Sequence, residues 1–87
     1  MNKHFEDTRY YLKRATETAT RGVREELAPI EERFREMTGR EQEPEPSRLE
    51  EIRAELLDLQ ERAEGETREA IENARARLQE FREQRAA

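Results

Sequence analysis

The chain has 87 residues, of which 45% are charged and 32% hydrophobic, and its net charge is −5. So little apolar material excludes a large globular core and leaves two outcomes: disorder, or long helices meeting along a narrow apolar seam. Three Gly and three Pro are few for a disordered chain, and the dominant Ala, Glu, Arg and Leu are strong helix formers.

The first helix is expected over about 3–38, with Asn2 as a candidate N-cap. Its seam residues are Phe5, Thr8, Leu12, Ala15, Ala19, Val23, Leu27, Ile30, Phe34 and Met37. They recur in steps of three and four, as one face of a helix does. Near the middle an additional step of four forms a stutter, which relaxes a left-handed supercoil locally. Pro29 removes one backbone hydrogen bond and crowds the carbonyl of Glu25. Because the seam stays in phase from Leu27 to Ile30, the expectation is a kink at Pro29 in a continuing helix, the alternative being a true break that would give three helices.

The run "GREQEPEPS" marks a loop over 39–46, acidic and containing Pro44 and Pro46. Ser47 and Glu50 have capping-box spacing and open the second helix, expected over about 47–84. Its seam is Leu49, Ile52, Leu56, Leu59, Ala63, Thr67, Ile71, Ala74, Leu78 and Phe81. The step pattern repeats that of the first helix and reads the same backwards. Two such helices pair antiparallel in register, Phe5 against Phe81 and Leu27 against Leu59. Gly22 and Gly65 fall near the centre, where the backbones could approach closely. The fold class is therefore all-α: an antiparallel two-helix coiled-coil hairpin forming a single domain over 1–87. Each helix would be about 55 Å long at 1.5 Å per residue. Two helices alone bury a thin core, so self-association is expected, and two antiparallel hairpins would make a four-helix bundle.

Charge is unevenly spread. Residues 1–24 carry six Lys/Arg and three Asp/Glu, residues 67–87 five Arg and four Glu, and residues 25–66 six Arg and fifteen acidic groups. In a straight hairpin the terminal half is positive and the loop half negative. The basic stretch "RYYLKR" lies in the positive half and carries both tyrosines. Tyr11 flanks the seam and extends it over Phe5 and Phe81. Tyr10 faces outward among Glu6, Asp7, Lys13 and Arg14, either stacked on Arg14 or as a contact aromatic. Leu57 is the other apolar residue off the seam. Tyr10, Tyr11, Lys13, Arg14 and Leu57 form the candidate interaction surface. Across a twofold dimer the tyrosines of one copy would approach Leu57 of the other.

The signal for an enzyme is close to nil. His4 is the only histidine and reads as a spectator near a fraying end. No cysteine is present, so disulfides and thiolate metal sites are excluded. Glutamate pairs such as Glu25–Glu26 and Glu50–Glu51 read as a solvated face, with Glu31–Arg35 and Glu64–Arg68 as ion pairs along the helix. No metal or cofactor is expected. No apolar run reaches the length of a membrane span and the first residues lack a signal-peptide core, so a cytoplasmic protein is expected.

The segments "MNKHFEDTRYYLKRATETA", "EELAPIEERFREMTGRE" and "EPEPSRLEEIRAEL" together resemble short, acidic, helical proteins of halophilic archaea. That resemblance implies a high-salt cytoplasm and brings no catalytic residues with it. The chain departs from the Asp-rich surfaces usual in halophiles, having two Asp against twenty Glu. The expected function is a non-catalytic protein–protein interaction or scaffold module, with a second copy or another protein as partner. The alternative is a nucleic-acid or ribonucleoprotein accessory factor using Lys3, Arg9, Lys13, Arg14, Arg21 and Arg24 beside the tyrosines.

Overall fold

The computed structural model describes residues 3–38 and 46–86, and the loop expected over 39–46 lies outside them but for Pro46. The described residues form four helices: α1 (Lys3–Thr18), α2 (Arg21–Thr38), α3 (Pro46–Arg62) and α4 (Gly65–Ala86). The expected pair of continuous helices is thus corrected. Each is interrupted at its stutter, and the halves fold back on one another. Instead of a rod of about 55 Å, the molecule measures 35 × 22 × 20 Å.

Local chemistry explains where the breaks fall. α1 ends in a threonine-rich run, and Thr16 and Thr18 donate hydroxyl hydrogen bonds to the carbonyls of Leu12 and Arg14, each at 3.0 Å. Such back-bonding competes with regular helix. Thr20 then opens α2, its carbonyl accepting the amide of Arg24 at 2.8 Å, as an N-cap residue does. The Arg24 guanidinium reaches back 3.0 Å to the carbonyl of Ala19 and satisfies a group left over at the end of α1. At the other break the chain turns at Gly65, whose φ of +60° lies in the left-handed region that glycine enters without penalty. The expected close approach at the glycines is not found: a Cβ placed on Gly22 or Gly65 would meet nothing within 4 Å.

Pro29 does not end its helix; α2 runs through it from Arg21 to Thr38. α3 begins on Pro46, at the first helical position, where a missing N–H costs no hydrogen bond. Ser47 is consequently inside the first turn, and Asn2 is outside the described residues.

The helices pack in a ring. α1 neighbours α2 and α4, α3 neighbours α4 and α2, and among the described residues the diagonal pairs do not meet. Consecutive helices are antiparallel. The rings of Phe5 and Phe34 join the start of α1 to the end of α2. Phe5 also touches Phe81 at the end of α4, with centroids 4.1 Å apart. At the opposite pole the hydroxyls of Thr18 and Thr67 lie 2.9 Å apart. Both described chain ends, Lys3 and Ala86, therefore sit at one pole and both breaks at the other.

The mirror register survives within each antiparallel pair, α1 with α4 and α2 with α3. Phe5 meets Phe81 as the seam predicts, and α2 and α3 are tied by Arg33–Glu55 and by Arg62–Glu26. Nearly the whole seam forms the core, including its two polar members Thr8 and Thr67; Val23 is half-buried and the Met37 side chain lies outside the described residues. Complete burial of Phe34 contributes roughly 1.5–3 kcal/mol relative to exposure. Ala70, outside the seam, is buried as well, because a helix with two neighbours needs a wider apolar stripe than a helix with one.

Candidate functional site

The outer face of α1 differs from the other faces in how its charges are used. Lys3, Arg9, Lys13 and Arg14 are all exposed, and none has an ion-pair partner among the described residues. The arginines of the other helices are mostly engaged. Arg35 lies 3.4 Å from Glu31, Arg53 3.4 Å from Glu50 and Arg68 3.3 Å from Glu72. The Arg68 pairing corrects the expected Glu64–Arg68 pair, since the turn at Gly65 takes Glu64 off the helix that carries Arg68.

Tyr10 projects from the same face and is 56% exposed, the most open large apolar side chain of the molecule among the described residues. Its ring meets the edge of the Tyr11 ring at 5.2 Å with the planes 76° apart. Tyr11 itself is half-buried against the core, as its flanking position predicts. Its hydroxyl is hydrogen-bonded to Arg77, whose guanidinium is held further above its usual range by its hydrogen bond to Glu80 and, next, by that to Tyr11. Tyr11 is thus an anchored platform on which Tyr10 rests at a favourable edge-to-face angle.

The remaining expected site residues are placed elsewhere. Leu57, 42% exposed, is on α3, which is not a neighbour of α1. One molecule therefore does not bring Leu57 to the tyrosines. Arg21 and Arg24 start α2 at the pole of the breaks, where Arg21 lies 3.2 Å from Glu25 and Arg24 holds the Ala19 carbonyl. Of the six candidate nucleic-acid contacts, four therefore share α1 and two are occupied by local bonds. His4 is less exposed than expected: its Nδ1 lies 3.1 Å from Oε2 of Glu80, and its side chain is only 22% exposed.

The α2/α3 side offers a concavity. It is an open groove of about 320 Å³ lined by Pro29, Ile30 and Leu59 and crossed by the Arg33–Glu55 and Arg62–Glu26 pairs. The hydrogen bond from Arg62 and its positive charge hold the Glu26 carboxyl below its ordinary range, against the opposing effect of partial desolvation. Among the described residues no group of three or more His, Asp or Glu side chains is arranged to hold a metal. Among them, too, no helix is long and apolar enough to cross a membrane.

The folding back also redirects the charge asymmetry. α1 carries four Lys/Arg and three Asp/Glu, and α4 five of each; α2 carries four Arg and five Glu, and α3 three Arg and five acidic groups. The more basic pair, α1 with α4, lies beside the more acidic pair, so the asymmetry runs across the bundle rather than along a rod. Sequence reasoning found Tyr10 and its basic neighbours, but not that α1 keeps its cations unpaired. Only part of the pairing depends on which helices become neighbours: Arg33–Glu55 and Arg62–Glu26 cross between helices, whereas Arg35–Glu31, Arg53–Glu50 and Arg68–Glu72 each lie within one.

Fold and surface together define a small single-chain four-helix bundle with one basic, aromatic helix face. The chain belongs to a family of unknown function, DUF7553, whose description covers residues 1–84. No curated protein and no solved structure matches it.

Proposed function

We propose that this protein is a non-catalytic interaction module that docks an acidic protein surface against the outer face of α1, in the salt-rich cytoplasm of a halophilic archaeon. The observation that carries the reading is the coincidence of four unpaired cations with Tyr10 on one helix. Unpaired cations leave α1 free to attract an acidic partner without first breaking internal pairs. Tyr10 adds an aromatic anchor of low conformational cost, since Tyr11 already holds it, and aromatic anchors dominate binding energy at interfaces. At high salt the charges are screened within a few ångströms and set orientation, while the ring supplies affinity.

The same observation gives nucleic acid as the second reading, with Lys3, Arg9, Lys13 and Arg14 along a phosphate backbone and Tyr10 on a base. The overall charge of −5 favours the first. Amide shifts followed by NMR against an acidic amphipathic peptide and against a single-stranded RNA separate the two. The proposal expects the peptide to shift α1 alone and the shifts to disappear in Lys13→Glu/Arg14→Glu. RNA binding that is tighter than peptide binding and fades steeply with salt supports the second reading. Shifts spread over all four helices with either probe would sink both.

A further inference from the structure

We propose that the interior seam of this bundle also fits a second copy of the chain. Two molecules open at the pole of the breaks, straighten, and exchange their α2/α3 pairs in a domain-swapped dimer.

Four observations lead there. First, the seam stays in phase through both breaks: Ala15, Ala19, Val23 and Leu27 follow at intervals of four, as do Leu59, Ala63, Thr67 and Ile71. A helix straightened through either break would keep one continuous apolar face. Second, both breaks are short. Only Ala19 and Thr20 separate α1 from α2, and only Ala63 and Glu64 separate α3 from α4. Third, both lie at the same pole, beside the Thr18–Thr67 hydroxyl pair, so they can open together as one hinge. Fourth, the hinge joins two pairs that are each already antiparallel and in mirror register, and those pairs can move apart intact.

An opened molecule uncovers part of Phe5, Leu12, Leu27 and Phe34, all of them buried in the closed bundle, because each keeps its cover within its own antiparallel pair and loses that of the other pair. Its mirror-ordered seam is complementary to the seam of another opened copy lying antiparallel to it. The swapped dimer rebuilds every α1–α2 and α3–α4 contact between chains instead of within one, which is the condition for exchange at low cost. This inference does not depend on the reading of α1 as a docking face, since it uses the buried seam and that reading uses the outer surface.

Two substitutions bias the hinge in opposite directions. Gly65→Ala meets no atom within 4 Å, so it introduces no clash, yet it disfavours the φ of +60° that closes the α3–α4 break. Alanine also favours regular helix over glycine by roughly fivefold, so the dimer, with two such hinges, is expected to tighten by about 25-fold. Arg21→Pro places proline at the first position of α2, which the closed form tolerates and a straight helix does not.

Sedimentation of the full chain across concentrations gives the dimer constant. Spin labels on Glu6→Cys and Arg35→Cys, diluted into unlabelled chain, report the arrangement within one molecule. Both sites are exposed and each adjoins one ring of the Phe5–Phe34 contact, so in the closed form they lie within about the 22 Å width of the bundle from one another, against about 43 Å along a straightened helix. The expected result is a long distance in the dimer, more dimer in Gly65→Ala and less in Arg21→Pro. A dimer that keeps the short distance overturns the proposal, and so does a helical Gly65→Ala chain that stays monomeric at every concentration. Should Gly65→Ala fail to fold, the label distance in the unsubstituted background at high concentration decides the matter in the same way.

Discussion

The rings of Phe5 and Phe34 meet edge to face, with centroids 5.3 Å apart and planes at 85°, although the two residues would lie at distant points of one continuous helix. The contact exists only because the chain turns back at Ala19 and Thr20, and with Phe81 it closes the pole of the bundle opposite the breaks.

Phe34→Ala is expected to cost about 3–5 kcal/mol, the range for a fully buried aromatic truncated in a tight core. Urea unfolding followed by circular dichroism measures it. In a double-mutant cycle with Phe5→Leu and Phe34→Leu, the pair should show a coupling of about 0.5–1.5 kcal/mol. Strict additivity would mean that the rings do not meet in solution.

Pro29→Ala should stabilise the protein. Proline in a helix interior costs about 3 kcal/mol relative to alanine, and its stiffening of the unfolded chain offsets about 1 kcal/mol of that. The side chain is exposed, so little packing is lost. A rise of about 1–2 kcal/mol, read as a higher urea midpoint at unchanged slope, is expected. A fall would show that the α2/α3 groove needs the proline ring.

Thr8→Val is expected to change stability by less than about 1 kcal/mol in either direction. The Thr8 hydroxyl donates to the carbonyl of His4 in its own helix at 2.7 Å, and that carbonyl also accepts the helical amide bond. Replacing a satisfied hydroxyl by a methyl of similar shape therefore leaves no buried group without a partner. A loss of several kcal/mol in a thermal melt would assign Thr8 a further polar role.

The Glu26 carboxyl, depressed first by the hydrogen bond from Arg62, supports the folded state above its unfolded value of about 4.5 and ceases to do so as pH falls through its lower folded value. An NMR titration of its side-chain carboxyl carbon should show a midpoint below 4.5 that rises towards that value in Arg62→Gln. Both partners are about half-exposed, so added salt should move the midpoint the same way. A midpoint unchanged in Arg62→Gln would remove Arg62 as the cause.

The seam was legible because burial imposes a period on sequence, and all its described members are buried or, for Val23, half-buried. The breaks were not, because a seam that stays in phase through a stutter is compatible with both a straight and a folded helix. Thinness of core decides between them: a two-helix rod covers each apolar stripe from one side, and folding back covers it from two. The signals were present in the threonines around Ala19 and in Gly65, while Pro29, the stronger helix breaker by propensity, lies on an exposed face of α2 and does not end it. At the candidate site, the exposure of Tyr10 and the half-burial of Tyr11 followed from helical phase alone. The separation of Leu57 from the tyrosines did not, because it depends on which helices became neighbours.

Because Lys3 and Ala86 leave the bundle at one pole, with α1 and α4 side by side and antiparallel between them, the molecule has a weak mechanical axis. Pulled by its two ends, it would unzip rung by rung from Phe5 and Phe81 towards Thr18 and Thr67, each step loading a single layer. A handle attached within α2 instead would load many layers in shear, so the force needed to undo this protein is set by where it is held.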